Sequence, residues 1–311
     1  MRGRARELAS IALLALLFGA ATCVAVQAAE DAAPQAGESV SVVYGPSLQP
    51  LIEQRLGPEF TRVTGVAVHP EMQPSLAALR LVTKSGEGAD VAVVTDPEIF
   101  NAKATSKEVP YYLVFAANAM VVGYRTDSPY GRAIAAGKPW FEALRVGGVR
   151  FARLDPALDP LGYRAIFVLQ LARRYYDTAD LQVQILRPDQ IVPASDLLPK
   201  LQRGEFDVAL LYRSQAVEAG LAILELPIEI NLGDPGRRGV YAEASLDVKG
   251  DLVRGAPLVL AAAPLAGAPH AAAALRFVDF LTSLPARRIL DADGFVVLPD
   301  FPLRRAWGQA P

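Results

Sequence analysis

The stretch "SVSVVYGPSLQPLIEQRLGPEFTRVTGVAVHPE" (Ser39–Glu71) decides the fold class. "SVSVVYG" reads as a buried strand, "SLQPLIEQRLGPEFTRVTG" as a helix with apolar residues at helical spacing, and "VAVHPE" as a second strand. The pair Gly57-Pro58 interrupts the helix and predicts a bend there. A strand, a crossover helix and a second strand form the repeating unit of α/β sheets.

The same rhythm continues outward from this stretch. "PSLAALRLVTKSGEG" reads as a second helix, "ADVAVVTD" as a third strand and "NAMVVGYRTDSP" (Asn118–Pro129) as another. A second set of units follows: "GVRFARLDP", the apolar helix opened by "DPLGYR", "ILRPDQIV", the helix "ASDLLPKLQRG" and the strand "FDVALLY". "APLVLAAAP" (Ala256–Pro264) then reads as a strong strand, with the helices "PHAAAALRFVDFLTSL" and "PARRILDADG" behind it. The apolar runs are continuous, as in parallel strands buried on both sides. The expectation is two α/β lobes, each a mostly parallel sheet with helices on both faces. The pattern leaves open whether the late strand and helices return to the first lobe.

Composition bounds the function. Of 311 residues, 52% are hydrophobic and 21% charged, which suits a soluble chain with a well-filled core. Arg2, Arg4 and Arg6 precede the apolar run "IALLALLFGAATCVAV", and "VQA" ending at Ala28 has the form cleaved by signal peptidase. The run falls short of the ~20 apolar residues of a spanning helix. Residues 1–28 are therefore expected to be a signal peptide and 29–39 a disordered spacer. Loss of the signal takes the formal charge from −2 to about −4, which gives no bulk attraction to nucleic acid or anionic lipid. The one cysteine, Cys23, lies inside the signal. A lipid anchor on it is the alternative, although "AATC" lacks the usual leucine.

Catalytic and metal motifs are sparse. Neither "GPSLQ" nor "QPSLA" is a G-x-S-x-G elbow, and no P-loop or G-x-G-x-x-G follows a strand. The two histidines, His69 and His270, form no cluster with cysteines, so neither a triad nor a zinc site is indicated. The pairs Tyr111-Tyr112 and Tyr175-Tyr176 raise ferric iron as a minor alternative to ordinary core and rim aromatics. What remains is a set of helix starts, at Ser47, Ser75 and Asp159-Pro160-Leu161-Gly162, together with Tyr212 at a strand end. Helix N-termini bind oxyanions through backbone N–H groups and the helix dipole. The competing role for each is simple N-capping. All would lie at the carboxyl ends of strands, where open α/β sheets bind ligands.

These motifs resemble the periplasmic molybdate- and tungstate-binding proteins of ABC importers, in particular their archaeal-type branch. "YGPSLQPLIEQ" is similar to its opening serine motif, "PSLAALRLVTKSGEGADVAVVTD" to its second serine helix and strand, and "DPLGYR" to a D-P-x-G-Y-R signature followed by "QLARRYY". "LYRSQAVEAGLAILELPIEINLGDP" (Leu211–Pro235), "GAPLVLAAAP" and "GFVVLPD" complete the series, over roughly Val40–Asp300. The resemblance implies a two-lobed Venus-flytrap receptor of type II fold, monomeric, non-enzymatic and without cofactor, which delivers its ligand to a permease in the inner membrane. It implies lobe I at 40–122 plus 256–311 and lobe II at 123–255. It also implies oxyanion contacts from Ser47, Ser75, Asp159, the backbone of Leu161 and Gly162, and Tyr212, with Asp159 able to reach the metal of the oxyanion.

Two departures bear on the ligand. Leu211 stands where the archaeal-type branch has a second carboxylate, and Pro46 and Pro74 each remove a backbone donor before a serine. Without that companion, Asp159 near a dianion meets repulsion of ~1 kcal/mol or more per charge pair at ~4 Å, and capping its own helix becomes its alternative role. Sulfate-like or small organic anions are the alternative ligands, and a secreted α/β enzyme the alternative class.

Overall fold

A computed structural model describes residues 38–72, 88–95, 97, 100 and 109–305 of the chain. Strand β1 (Ser39–Tyr44) pairs in parallel with β2 (Ala67–Met72) on one side and β3 (Val91–Val94) on the other. The quoted stretch thus forms the expected unit. β2 is the sheet edge and largely exposed, which is where a strand tolerates a proline such as Pro70. The crossover is a π-helical segment Pro50–Leu56 running into the α-helix Gly57–Thr64. The junction lies at the predicted bend. Pro58 cannot donate to the helical ladder, and the wider turn before it brings the Gly57 N–H to Ile52 O. A Cβ at Gly57 would lie 2.7 Å from that oxygen, so glycine is required there.

The remaining strands are β4 (Tyr111–Ala117), β5 (Met120–Tyr124), β6 (Phe151–Ala152), β7 (Val208–Tyr212), β8 (Ala222–Glu225), β9 (Ser245–Val248), β10 (Asp251–Arg254), β11 (Val259–Pro264), β12 (Val296–Val297) and β13 (Leu303–Arg305). The first sheet runs β12-β4-β11-β3-β1-β2, with β13 also on β4, and the second runs β6-β7-β5-β8; β9 and β10 form a separate hairpin. The late strand β11 therefore does return to the first sheet, between β3 and β4.

Both sheets are mixed, which corrects the expectation of mostly parallel ones. β11 is antiparallel to β3 and β4, and β5 is antiparallel to β7 and β8. The cause is the crossing itself. β5 and β11 each arrive from the other lobe, start at the edge facing the hinge and run away from it, whereas β12 and β13 follow no crossing and are also antiparallel to β4. β5, from Met120, lies wholly in the second sheet, so the first crossing falls at Asn118–Ala119 rather than after Val122.

The first sheet is covered on both faces. Val42 and Tyr44 pack on one side with Leu51, Ile52, Phe60 and Phe277, and Val43 on the other with Phe100 and Tyr112. Phe60 meets Phe277 and Phe280 edge-on at 5.1 and 5.4 Å, pinning the first crossover to the late helix Ala271–Phe280. Asp90, fully buried, ties the same elements: it accepts the N–H groups of Ser41 (2.8 Å) and His270 (2.7 Å). In the second lobe the helix Pro160–Tyr175 buries Leu161, Ala165, Phe167, Val168, Leu169 and Leu171, which accounts for its apolar sequence.

Candidate functional site

The two sheets meet at a hinge of four backbone hydrogen bonds. Asn118 N–H donates to Leu258 O (2.7 Å), Met120 N–H to Asn231 O (2.7 Å), Arg213 N–H to Ala119 O (2.8 Å) and Leu258 N–H to Leu232 O (2.8 Å). The side chain of Asn118, nearly buried, donates to Ser214 Oγ (2.8 Å) and accepts from Ala119 N–H (2.9 Å). Because β1, β3 and β4 share a direction, their carboxyl ends lie on this edge of the first sheet. Tyr212, the last residue of β7, pairs with Met120 on the same edge of the second. Sequence reasoning did not single out Asn118, whose partner lies 96 residues away.

On the first lobe, β1 ends at Tyr44 and the chain turns through Gly45–Leu48, where Leu48 N–H donates to Gly45 O (2.9 Å). Ser47 is exposed at this turn. The following helix is capped at Gln49 without a side-chain bond, and the Ser47 hydroxyl bonds to no described residue, so capping does not occupy it. The buried Tyr44 hydroxyl donates to Glu53 Oε1, and burial followed by that carboxylate pushes the phenol well above its ordinary range. This bond clamps the start of the turn to the helix behind it. Ser75 lies outside the described residues.

On the second lobe, two Asp-Pro pairs make nested caps. Asp155 Oδ1 accepts Ala157 N–H (2.8 Å), and Asp155 O accepts Asp159 N–H (3.0 Å). Asp159, in extended conformation, is the N-cap of Pro160–Tyr175, and its Oδ1 accepts Leu161 N–H (2.7 Å). Gly162 N–H donates to Asp159 O (3.0 Å), and Pro160 has no N–H. The expectation that Leu161 and Gly162 aim free donors at the cleft therefore meets a different arrangement: both N–H groups are occupied within the cap. Glycine is needed at 162 because a Cβ there would lie 2.7 Å from the carbonyl carbon and oxygen of Asp155.

Tyr212 is half-buried, and Arg164 Nη1 donates to its hydroxyl. The guanidinium carbon stands 5.5 Å from the centre of the Tyr212 ring and 5.8 Å from that of Tyr163. Burial pushes the Tyr212 phenol above its ordinary value of 10.0; the Arg164 charge opposes this, and the Asp159 carboxylate and Tyr163 add to it. Asp159, Arg164 and Tyr212 thus form one electrostatic cluster with a protonated phenol at neutral pH. Sequence reading noted Arg164 as a charge in the helix but did not assign it to the site. Its signal was the one charge of the apolar helix ahead of Arg173 and Arg174.

Leu211 is fully buried in the second lobe's core, with its Cδ1 within 2.7 Å of where a Gly123 Cβ would be. Strand alternation turns it away from the face that Tyr212 uses. His69 is exposed on edge strand β2, while His270 Nδ1 lies 3.1 Å from Asp90 Oδ2. Tyr112 packs on Phe100 at 5.4 Å, and Tyr175 and Tyr176 stack edge-on at 4.8 Å. Tyr112, Tyr175 and Tyr176 thus have aromatic packing roles.

Comparison with known proteins adds to this geometry. Residues 40–296 match the family model described as bacterial extracellular solute-binding protein. A Haloferax volcanii protein provisionally named an ABC transporter molybdenum-binding protein is 38% identical over 72% of this chain and 72% of its own length. A molybdate/tungstate-binding protein of Pyrococcus abyssi is 28% identical over 72% of this chain and 73% of its own. Among solved structures, the periplasmic molybdate-binding protein of Azotobacter vinelandii superposes with a TM-score of 0.55 at 18% identity, over 84% of this chain and all of its own, a likeness of fold.

Proposed function

The chain belongs to the bacterial extracellular solute-binding proteins, non-enzymatic receptors of ABC importers, and from that membership we propose that it carries a tetrahedral oxyanion, molybdate or tungstate first. The observation that carries this reading is the donor set at the hinge edge. Ser47 offers a hydroxyl that bonds to no described residue on one lobe, and Tyr212 a protonated phenol backed by Arg164 on the other. Such a set, two hydroxyls able to donate, suits an acceptor-only dianion. The relatives named for molybdenum support the choice of anion. Ser75, outside the described residues, joins Ser47 in this proposal.

The lobes are proposed to close about Asn118–Met120 and the facing segment Asn231–Leu258, with the anion stabilising the closed state by touching both sides. The closed shape is what an inner-membrane permease reads. Export through residues 1–28, which lie outside the described residues, fits the extracellular family. Asp159 is proposed to act as the helix cap and to keep its carboxylate off the anion.

A sulfate-like ligand is the second reading, favoured by one observation. With Leu211 buried in the core, that position supplies no second carboxylate to expand the metal's coordination beyond its four oxygens. Isothermal titration of the protein with molybdate, tungstate and sulfate separates the two. Micromolar or tighter binding of the metal oxyanions over sulfate supports the first reading, the reverse order the second. Silence toward all three rejects both.

A further inference from the structure

Arg164 stands behind Tyr212 in the reading above, on which this inference rests. A guanidinium has donors and no acceptor, so in the Arg164–Tyr212 contact the phenol oxygen must accept. The phenol proton then has no acceptor among the described residues. Asp159 acts on Tyr212 through charge, and its Oδ1 takes the Leu161 N–H. The guanidinium also lies over both the Tyr212 and Tyr163 rings, at 5.5 and 5.8 Å, contacts that help hold its planar fork in place. Were an acceptor to stand at 164, the phenol would donate to it and present only lone pairs to the cleft, which an oxyanion would avoid.

We propose that Arg164 is a positioning residue that orients the Tyr212 hydroxyl as a donor toward the bound oxyanion. The direction of one proton, set from behind by a donor-only side chain, then separates acceptor ligands from donor ligands. An oxyanion can take that proton. A hydroxyl or ammonium solute would have to compete with Arg164 for the phenol's lone pairs.

Titration with sodium molybdate across four variants tests this. Arg164→Gln supplies an acceptor to the phenol, Arg164→Lys keeps a donor only, Tyr212→Phe removes the hydroxyl, and Arg164→Gln/Tyr212→Phe combines two changes. Arg164→Gln and Tyr212→Phe are each expected to weaken binding about ten-fold or more, the scale of a hydrogen bond to a charged group. The double variant is expected to be no more than about two-fold weaker than Tyr212→Phe alone, because the two residues act as one unit. Arg164→Lys should recover most of the loss.

Losses that multiply in the double variant assign Arg164 a separate role and overturn the proposal. So does a lysine variant as weak as the glutamine one. If Arg164→Gln does not fold, the comparison of Arg164→Lys with Tyr212→Phe decides: near-native binding by the first supports the proposal, equal weakness overturns it. Silence of the unmutated protein toward molybdate, tungstate and sulfate instead rejects the oxyanion reading, and this inference with it.

Discussion

Asp159 carries two separable properties, a cap and a charge. Asparagine caps a helix as well as aspartate does, so Asp159→Asn should leave the melting temperature close to native. Molybdate binding by that variant should be unchanged or tighter, since a carboxylate near a dianion is removed. Asp159→Ala also loses the bond to Leu161 N–H and should lower stability by ~0.5–2 kcal/mol, seen in chemical denaturation. Loss of affinity in Asp159→Asn would instead place the carboxylate on the metal. Ser47 gives the complementary case. Its hydroxyl bonds to no described residue, so Ser47→Ala should leave thermal stability unchanged while weakening the anion by ~1.5–3 kcal/mol, read by calorimetry.

The helix Pro160–Tyr175 shows how an element places a site. Its start is pressed against the backbone of Leu154–Asp155, just past β6, with room only for glycine at 162. The obstructing atoms are backbone and cannot rotate aside. Gly162→Ala should therefore destabilise by ~1–3 kcal/mol, despite alanine's better helix propensity, and should weaken anion binding by shifting Arg164. Chemical denaturation and titration of the same preparation would show both. The elements near the amino end were legible because β1 and β3 are short apolar runs divided by turn residues, with β2 following the crossover helix. β4 was missed although "YYLVFAA" is as apolar. β6, only two residues long, lies inside "GVRFARLDP", which the sequence reading did mark as a unit. The antiparallel insertions were illegible because strand direction is set by the route between sheets, which no local pattern encodes. At the site, helix starts and Tyr212 were visible as residue types. The Arg164–Tyr212 bond spans 48 residues and became visible only in three dimensions.

At the scale of the molecule, several tyrosines make stability fall in alkali. Tyr44 donates to Glu53, Tyr241 to Ile228 O (2.6 Å), and Tyr212 sits beside Arg164. Burial pushes all three phenols up, Tyr241 to about 12, from an ordinary value of 10.0. A phenol raised in the folded state contributes its full stability below pH 10 and loses it as the pH climbs toward the folded value. Denaturant midpoints should hold steady to about pH 9 and drop progressively above pH 10. Phenylalanine at 241 should flatten that drop, at the cost of a lower midpoint at neutral pH.

The seating of β11 between β3 and β4 has a consequence for synthesis. Until Val259–Pro264 leaves the ribosome, two strands of the first lobe have a gap where their shared neighbour belongs. Asp90 likewise waits for His270. The second sheet, closed by Glu225, is complete before then. The lobe that begins first should therefore finish last, holding its open strand edges for the time needed to translate the other. Ribosome-stalled chains ending near residue 255 should resist protease across the second lobe and be cut in the first.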